Sequence, residues 1–171
     1  MIRVRSLGIR NGTAGDLAAV NEIYNHYVLT SHCTFDVEPV GIDTRHEWFG
    51  TFEVRGRYRF LVAESGGRVV GWATSSPYRP RRAYETSVET TVYVAQQATR
   101  GGIATSLYSA LMDLVAGEDV HRAYGVIALP NEPSVRLHER LGFRLSGLFS
   151  EQGRKFGRWW DVAWYEKKFD D

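Results

Sequence analysis

Three short stretches carry side chains able to do chemistry. In SVETTVYVA the alternation puts Val88, Val92 and Val94 on one side and Glu89, Thr91 and Tyr93 on the other. Glu89 is then either a solvated strand carboxylate or a proton acceptor. In NEPSVRLHERLGF, His138 lies three residues from both Val135 and Leu141 and shares their helical face. An imidazole there either packs in the core or relays protons near neutral pH. In TRGGIATSLYSALMDLV, a Gly pair precedes a run in which Ile103, Leu107, Leu111 and Leu114 follow the helical period. The first N–H groups of a helix have no helical partner, and its N-terminal end is positive. Gly101 and Gly102 therefore form either a plain turn or a seat for an anion, with Arg100 adding charge.

Two phosphate motifs are excluded at this place. A P-loop needs Lys-Ser/Thr after its second glycine, whereas Ile103 and Ala104 follow Gly102. A dinucleotide fingerprint needs a third spaced glycine and an acidic residue about 20 positions later, and neither is present. The loop YRPRRAY supplies Arg79 and Arg81, each of which can either grip a carboxylate with two hydrogen bonds or remain solvated. His26, His32 and His46 show no ligand spacing, so no metal site is expected. Cys33 is the only cysteine, which rules out an internal disulfide and suits a reducing compartment.

These residues need a scaffold, and the pattern supplies one. SLGIRNG reads as a strand, followed by a helix in TAGDLAAVNEIYNHYV that Thr13 and Asp16 start as a capping box. Leu17, Val20, Tyr24 and Tyr27 share one face of that helix, and SHCTFDVEPV is a loop. GIDTRHEWFGTFEVR reads as a weaker helix with Trp48, Phe49 and Phe52 as its apolar residues. RFLVAES and RVVGWATSS, joined by Gly-Gly, read as a hairpin. AYGVIALP is an apolar run expected to be buried on both faces. In the next helix Asn131 is the N-cap, Pro133 fits the first turn and Gly142 the end. Two strands around RKFG close the chain. The order is strand, two helices, three strands, helix, strand, helix, two strands. That is an α/β (α+β) class protein: a mixed, mostly antiparallel sheet flanked by helices, with residues 1–171 as a single domain.

With 43% hydrophobic and 24% charged residues, the chain has the make-up of a globular domain. A net charge of +1 argues against nucleic acid as a partner, even for the basic, aromatic stretch GRKFGRWWD. The segment MIRVRSLGIRNG lacks a signal-peptide core, and no run approaches the ~18 apolar residues of a membrane span. The expected location is the cytoplasm, without a membrane partner.

Taken together, VETTVYVAQQATRGGIATSLYSAL and ALPNEPSVRLHERLGF resemble the acetyl-CoA site of the GNAT acyltransferases. That signature, Gln/Arg-x-x-Gly-x-Gly/Ala, falls on Thr99 to Ala104; Gly102 and Ala104 match, and Thr99 departs from Gln or Arg. NHYVLTSHCTFDVEP, VETTVYV, PNEPSVRLHERLGF and GRKFGRWWDVAWYEKKF are similar, in that order, to the phosphinothricin and methionine sulfoximine N-acetyltransferase branch.

The resemblance implies attack of the α-amine of a small amino-acid-like substrate on the acetyl-CoA thioester, by direct transfer in a ternary complex. Such a reaction needs a neutral amine, a polarised carbonyl and a protonated leaving thiolate. By resemblance Glu89 is the base and His138 a second catalytic group: acid, base or orienter. The turn residues Arg100, Gly101, Gly102, Ile103, Ala104 and Thr105 hold the CoA pyrophosphate. Val92, Tyr93 and Val94 pair with the pantetheine arm, and Asn131 hydrogen-bonds it. Phe35, Arg79, Arg81, Thr90 and Thr91 join Glu89 in contacting the substrate. The C-terminal hairpin, through Lys155, Phe156 and Trp159, makes a homodimer. A different amine, or a non-catalytic acyl-CoA-binding module, stays open as an alternative.

Overall fold

The computed structural model describes residues 7–99 and 101–169; Arg100 lies outside the described residues. The elements are β1 (Leu7–Asn11), α1 (Leu17–Thr30), α2 (Ile42–Phe49), β2 (Phe60–Ser65), β3 (Arg68–Pro77), β4 (Ser87–Val94), α3 (Ile103–Ala116), β5 (Arg122–Ala128), α4 (Glu132–Arg140), β6 (Arg144–Lys155) and β7 (Arg158–Lys168). This is the expected order. They build one seven-stranded sheet, β1-β2-β3-β4-β5-β7-β6, in which only β4 and β5 run parallel.

Strand alternation assigns each side chain to one of two cores. Phe60 and Val62 of β2 and Trp72 of β3 pack with Leu17, Val20 and Ile23 of α1. Their neighbours Leu61, Ala63 and Ala73 point the other way, onto Leu107, Tyr108 and Leu111 of α3. On β4, Val88 and Val92 join the α3 side, while Tyr93 joins the α1 side. Turn chemistry sets the registers: Gly66 and Gly67, at φ 60° and 77°, close the β2–β3 hairpin, and Phe156 and Gly157, at 54° and 74°, close β6–β7.

The start of α1 is tied down by Asp16. Its carboxylate accepts two hydrogen bonds from Arg10, each 2.8 Å, and two more from the Thr13 N–H and hydroxyl at 2.8 and 2.9 Å. Arg10 holds the Asp16 carboxyl down at about 2.

Three details differ from the pattern reading. Helix α2 stops at Phe49, because Gly50 ends it and residues 51–59 form turns. On α3 the buried stripe is Leu107, Leu111 and Val115, and Leu114 is exposed, since the i, i+4 row rather than i, i+3 faces the sheet at that end. On β5, Val126 is exposed rather than buried, because its face of the strand borders an open cavity.

Candidate active site

The two parallel strands part soon after they meet. Pairing of β4 with β5 covers only Ser87↔Arg122, Val88↔Ala123 and Glu89↔Tyr124. Beyond Glu89, β4 continues to Val94 bonded only to β3, and β5 continues to Ala128 bonded only to β7. Each strand thereby leaves a row of main-chain groups facing the gap without a strand partner. The hydroxyl of Thr90 marks the point of parting, 3.1 Å from the Tyr124 carbonyl.

A cavity of about 820 Å³ occupies this region. It brings together Phe35, Glu89, Thr90, Thr91, Val92, Tyr93, Val94, Thr99, Ala104, Asn131 and His138. Gly101, Gly102, Ile103 and Thr105 stand outside its wall, around the start of α3. Gly102 is the N-cap there and adopts the left-handed conformation, φ 70°, which a glycine takes without strain. The Ser106 N–H donates to the Gly102 carbonyl at 3.0 Å as the first helical bond, so the preceding N–H groups point outward from the helix end. Thr99 donates its hydroxyl to the Gln96 carbonyl at 3.2 Å and closes the turn before the glycines. A long, phosphate-ended thioester fits this layout: an extended arm along the open β4 edge, and its diphosphate at the helix start.

Glu89 is half-buried on the α1 face of β4, opposite Ser76 of β3. Burial pushes its carboxyl above the ordinary glutamate value, while the nearby Arg79 charge opposes that shift. Arg79 itself stacks on Tyr78, with the guanidinium carbon 4.5 Å from the ring centre, and reaches Trp164 at 5.7 Å. It is a rim residue, close enough to act on Glu89 but not part of the cavity wall. Arg81 is also outside the wall, exposed where the turn at Arg82–Tyr84 begins.

His138 is buried on the α3 side, and both ring nitrogens have partners. Nδ1 lies 2.8 Å from the Ser134 carbonyl, which can only accept, so Nδ1 carries a proton. Nε2 lies 3.1 Å from the Tyr108 hydroxyl, and that hydroxyl lies 2.5 Å from the Thr90 hydroxyl. Burial lowers the imidazole pKa, opposed by the Ser134 bond, so neutral His138 is favoured. In that form Tyr108 donates to Nε2, and the single Thr90 hydrogen goes to the Tyr108 oxygen instead of the Tyr124 carbonyl. When Nε2 is protonated the hydroxyls reverse: Nε2 donates to Tyr108, Tyr108 to Thr90, and Thr90 to the Tyr124 carbonyl. The three side chains thus form one hydrogen-bonded chain from a buried imidazole to the point where the strands part. Gly125 makes room for it: a Cβ there would sit 2.2 Å from His138 Nε2.

Asn131 caps α4, its side-chain oxygen accepting from the Ser134 N–H at 3.3 Å, an arrangement worth about 1 kcal/mol. Phe35 packs on the main chain of Gly153 in β6, where a Cβ would lie 2.2 Å from the ring. Lys155 is corrected by the structure. Expected at the hairpin tip for a partner, it is turned inward and 97% buried, donating to the Ser31 and Thr34 carbonyls at 2.7 and 2.8 Å. The two loop carbonyls draw the ammonium in, and it holds the loop that carries Phe35. Phe156 and Trp159 remain exposed.

Pattern reasoning missed Tyr108 and Arg45. Tyr108 is a polar-tipped residue in the apolar run of α3, and its full burial demands a hydrogen-bond partner. Arg45 shares a weakly patterned helix with Asp43 and Glu47, and nothing local signals that it is the one that points inward. Among the described residues no group of three or more His, Cys, Asp or Glu can hold a metal ion.

Comparison with known proteins agrees with this geometry. Residues 9–164 match the acetyltransferase (GNAT) domain family. The chain is 52% identical over 161 residues to the phosphinothricin N-acetyltransferase of Streptomyces coelicolor, covering 93% of this chain and 94% of that protein. It is 33% identical over 166 residues to the L-methionine sulfoximine/L-methionine sulfone acetyltransferase of Pseudomonas aeruginosa, covering 96% of each. The crystal structure of a phosphinothricin acetyltransferase from Sinorhizobium meliloti in complex with AcCoA superposes with a TM-score of 0.91 at 32% identity, covering 95% of this chain and 88% of that one. With most of its length matched by the family, and with strands that part beside a glycine-capped helix start, the chain belongs to the GNAT acetyltransferases.

Proposed function

We propose that the protein acetylates the α-amine of a small amino-acid-like substrate of the phosphinothricin or methionine sulfoximine type, by direct transfer within a ternary complex. The observation that carries this reading is the parting of β4 and β5 immediately after Glu89, with the Thr90–Tyr108–His138 chain at the same point. Acetyl-CoA supplies the acyl carbonyl and the thiolate leaving group.

The protein's part follows from the residues. Glu89, partly desolvated, takes the proton that an ammonium must lose before it can attack. The unpaired main-chain edge of β4, residues 90–94, orients the pantetheine arm and offers N–H groups to the carbonyl oxygen. His138 first takes up a proton at Nε2 along the Thr90–Tyr108 chain; Thr90 then gives its hydroxyl proton to the departing sulfur, Tyr108 refills Thr90, the imidazolium Nε2 refills Tyr108, and His138 returns to the neutral form that burial favours. Cys33, whose thiol is pushed up by burial, takes no part as a nucleophile. Arg79, beside Glu89 at the rim, receives the substrate carboxylate, and Phe35 walls the pocket. Arg81 has no such support. The Arg79 charge at the mouth also disfavours polyamines.

The protein works in the cytoplasm as a homodimer. No helix among the described residues is long and apolar enough to cross a membrane. Phe156 and Trp159, 56% and 52% exposed at the hairpin, supply apolar area for the dimer contact. Incubation with acetyl-CoA and a panel of amino-acid-like amines, following free CoA thiol, tests the activity. Thiol release with phosphinothricin or methionine sulfoximine is expected; hydrolysis alone, or no release with any amine, would leave only an acyl-CoA-binding module. Sedimentation showing monomer alone at micromolar concentration would dispose of the dimer.

A further inference from the structure

The cavity runs on past Glu89 toward the α1–α2 end. Opposite pairs on β3 and β4 lie on one face: Ser76↔Glu89, then Thr74↔Thr91, then Trp72↔Tyr93. Four residues of strand, about 13 Å, separate Glu89 from Tyr93 on that face. Over Trp72 at the far end lies Arg45 of α2, 96% buried and part of the cavity wall. Its guanidinium carbon is 4.8 Å from the Tyr24 ring centre, 4.6 Å from that of Trp48 and 5.9 Å from that of Trp72. Its Nε donates to Asn21 Oδ1 at 3.1 Å.

No carboxylate lies within ion-pair distance of Arg45 among the described residues, and its buried Nη2 has no hydrogen-bond partner. The Trp72 indole Nε1 beside it is also buried and unpartnered, and Trp72 lines the same cavity. Two buried donors without acceptors, one of them charged, thus belong to side chains in contact at one end of the cavity, the guanidinium carbon 5.9 Å from the Trp72 ring centre. Leaving such groups unpaired is costly, so the site is built for an acceptor that comes from elsewhere. Asp36 accepts from the Tyr24 hydroxyl at 2.6 Å, and its negative charge acts on Arg45 from the edge of the site.

We propose that Arg45 and the Trp72 N–H form a subsite for an oxyanion at the far end of the amine substrate, so that amino acids with an acidic group two or three carbons beyond Cα are preferred. The proposal rests on the acetyltransferase reading for its placement of the amine at Glu89. Such a molecule spans about 5–6 Å from nitrogen to acid, and a hydrogen bond of about 2.8 Å at each end brings the total to about 11 Å, the same order as the stretch of strand between Glu89 and Tyr93. A phosphinate offers two oxygens, one for each donor. The planar guanidinium, held by three aromatic rings and Asn21, is already oriented for it.

The test is calorimetric binding to the CoA-saturated protein, where no transfer occurs, run beside turnover with acetyl-CoA. The probes are L-phosphinothricin, with a charged end, and L-methionine sulfone, with a neutral one. Arg45→Gln is expected to weaken phosphinothricin about thirtyfold and methionine sulfone less than about threefold, the difference between a charged and a neutral hydrogen-bonded partner. Arg45→Lys, which keeps the charge but loses the fork, should recover part of the loss, and both variants should keep the KM for acetyl-CoA. Equal loss for both probes, no loss, or no phosphinothricin binding by the parent protein would overturn the subsite. Arg45-dependent binding without turnover would keep the subsite and sink the acetyltransferase reading. Turnover indifferent to Arg45 would do the reverse.

Discussion

Gly125→Ala isolates the proton chain without removing any of its members. The new Cβ would stand 2.2 Å from His138 Nε2 and 2.4 Å from Cδ2. Non-bonded carbon and nitrogen need about 3.4 Å, so the overlap is about 1.2 Å. Strand β5 cannot give way, since it is paired with β7 along its whole length, from Arg122↔Lys168 to Ala128↔Val162. The imidazole is therefore the part that moves. A shift of about 1 Å takes the 3.1 Å contact with the Tyr108 hydroxyl out of hydrogen-bond range. Overpacking of this kind costs about 1–3 kcal/mol of stability. A misplacement of about 1 Å in a catalytic array costs up to about a hundredfold in rate.

The expected result for Gly125→Ala is kcat lower by about ten- to a hundredfold with the KM for acetyl-CoA little changed, measured at a temperature where the variant is folded. Gly8→Ala, where the nearest atom to a new Cβ is 4.0 Å away, serves as the control and should leave kcat unchanged. Hydrogen–deuterium exchange or NMR of the His138 ring would confirm that Tyr108 is no longer bonded. A Gly125→Ala enzyme with kcat within twofold of the parent and the same pH profile would refute the idea that the chain delivers a proton.

Two further perturbations test the charges. Glu89→Gln should lower kcat/KM by about a hundredfold or more. In the parent enzyme burial raises the Glu89 pKa, so the ionised base is lost as pH falls, and the acid limb of the kcat/KM profile should lie above the ordinary glutamate value; that limb should vanish in the variant. For Asp16, the folded pKa is depressed to about 2, so its contribution is present above the unfolded value near 4 and disappears as pH falls from there toward 2. The difference amounts to at most about 2 kcal/mol, and because the Arg10 side chain is 42% exposed, solvent screening reduces it to about 1 kcal/mol. Asp16→Asn should thus be less stable than the parent by about 1 kcal/mol in urea at pH 7, with the two converging near pH 2.

Local chemistry made much of the frame legible. The Asn131 cap, Pro133 in the first turn and Gly142 at the end delimit α4 by rules that act over a few residues. The Gly66–Gly67 turn and the alternation of β4 are equally local, and the alternation is enough to put Glu89 and Thr91 on the face away from Val88. The residues of the site entered through likeness to a family, and the structure gathers most of them around one cavity.

What the chain alone determines about this protein is therefore the order of its elements, the caps and turns that end them, and the face of each strand a residue takes. The tertiary structure decides what those faces meet. Tyr108 looks like one more residue of an amphipathic helix until α3 lies under Thr90 and α4 brings His138 to its hydroxyl. Lys155 looks like a solvated hairpin charge until the loop at Ser31–Thr34 turns two carbonyls toward it. Arg45 looks like the polar side of a weak helix until three aromatic rings from three elements close around it. The Tyr108 and Lys155 partners stand 18 to 124 residues away along the chain, and of the rings around Arg45 only Trp48 shares its helix, so no window of local sequence contains the whole interaction. A buried polar group is satisfied by whatever the fold brings within about 3 Å, and only the assembled sheet and its helices settle which group that is.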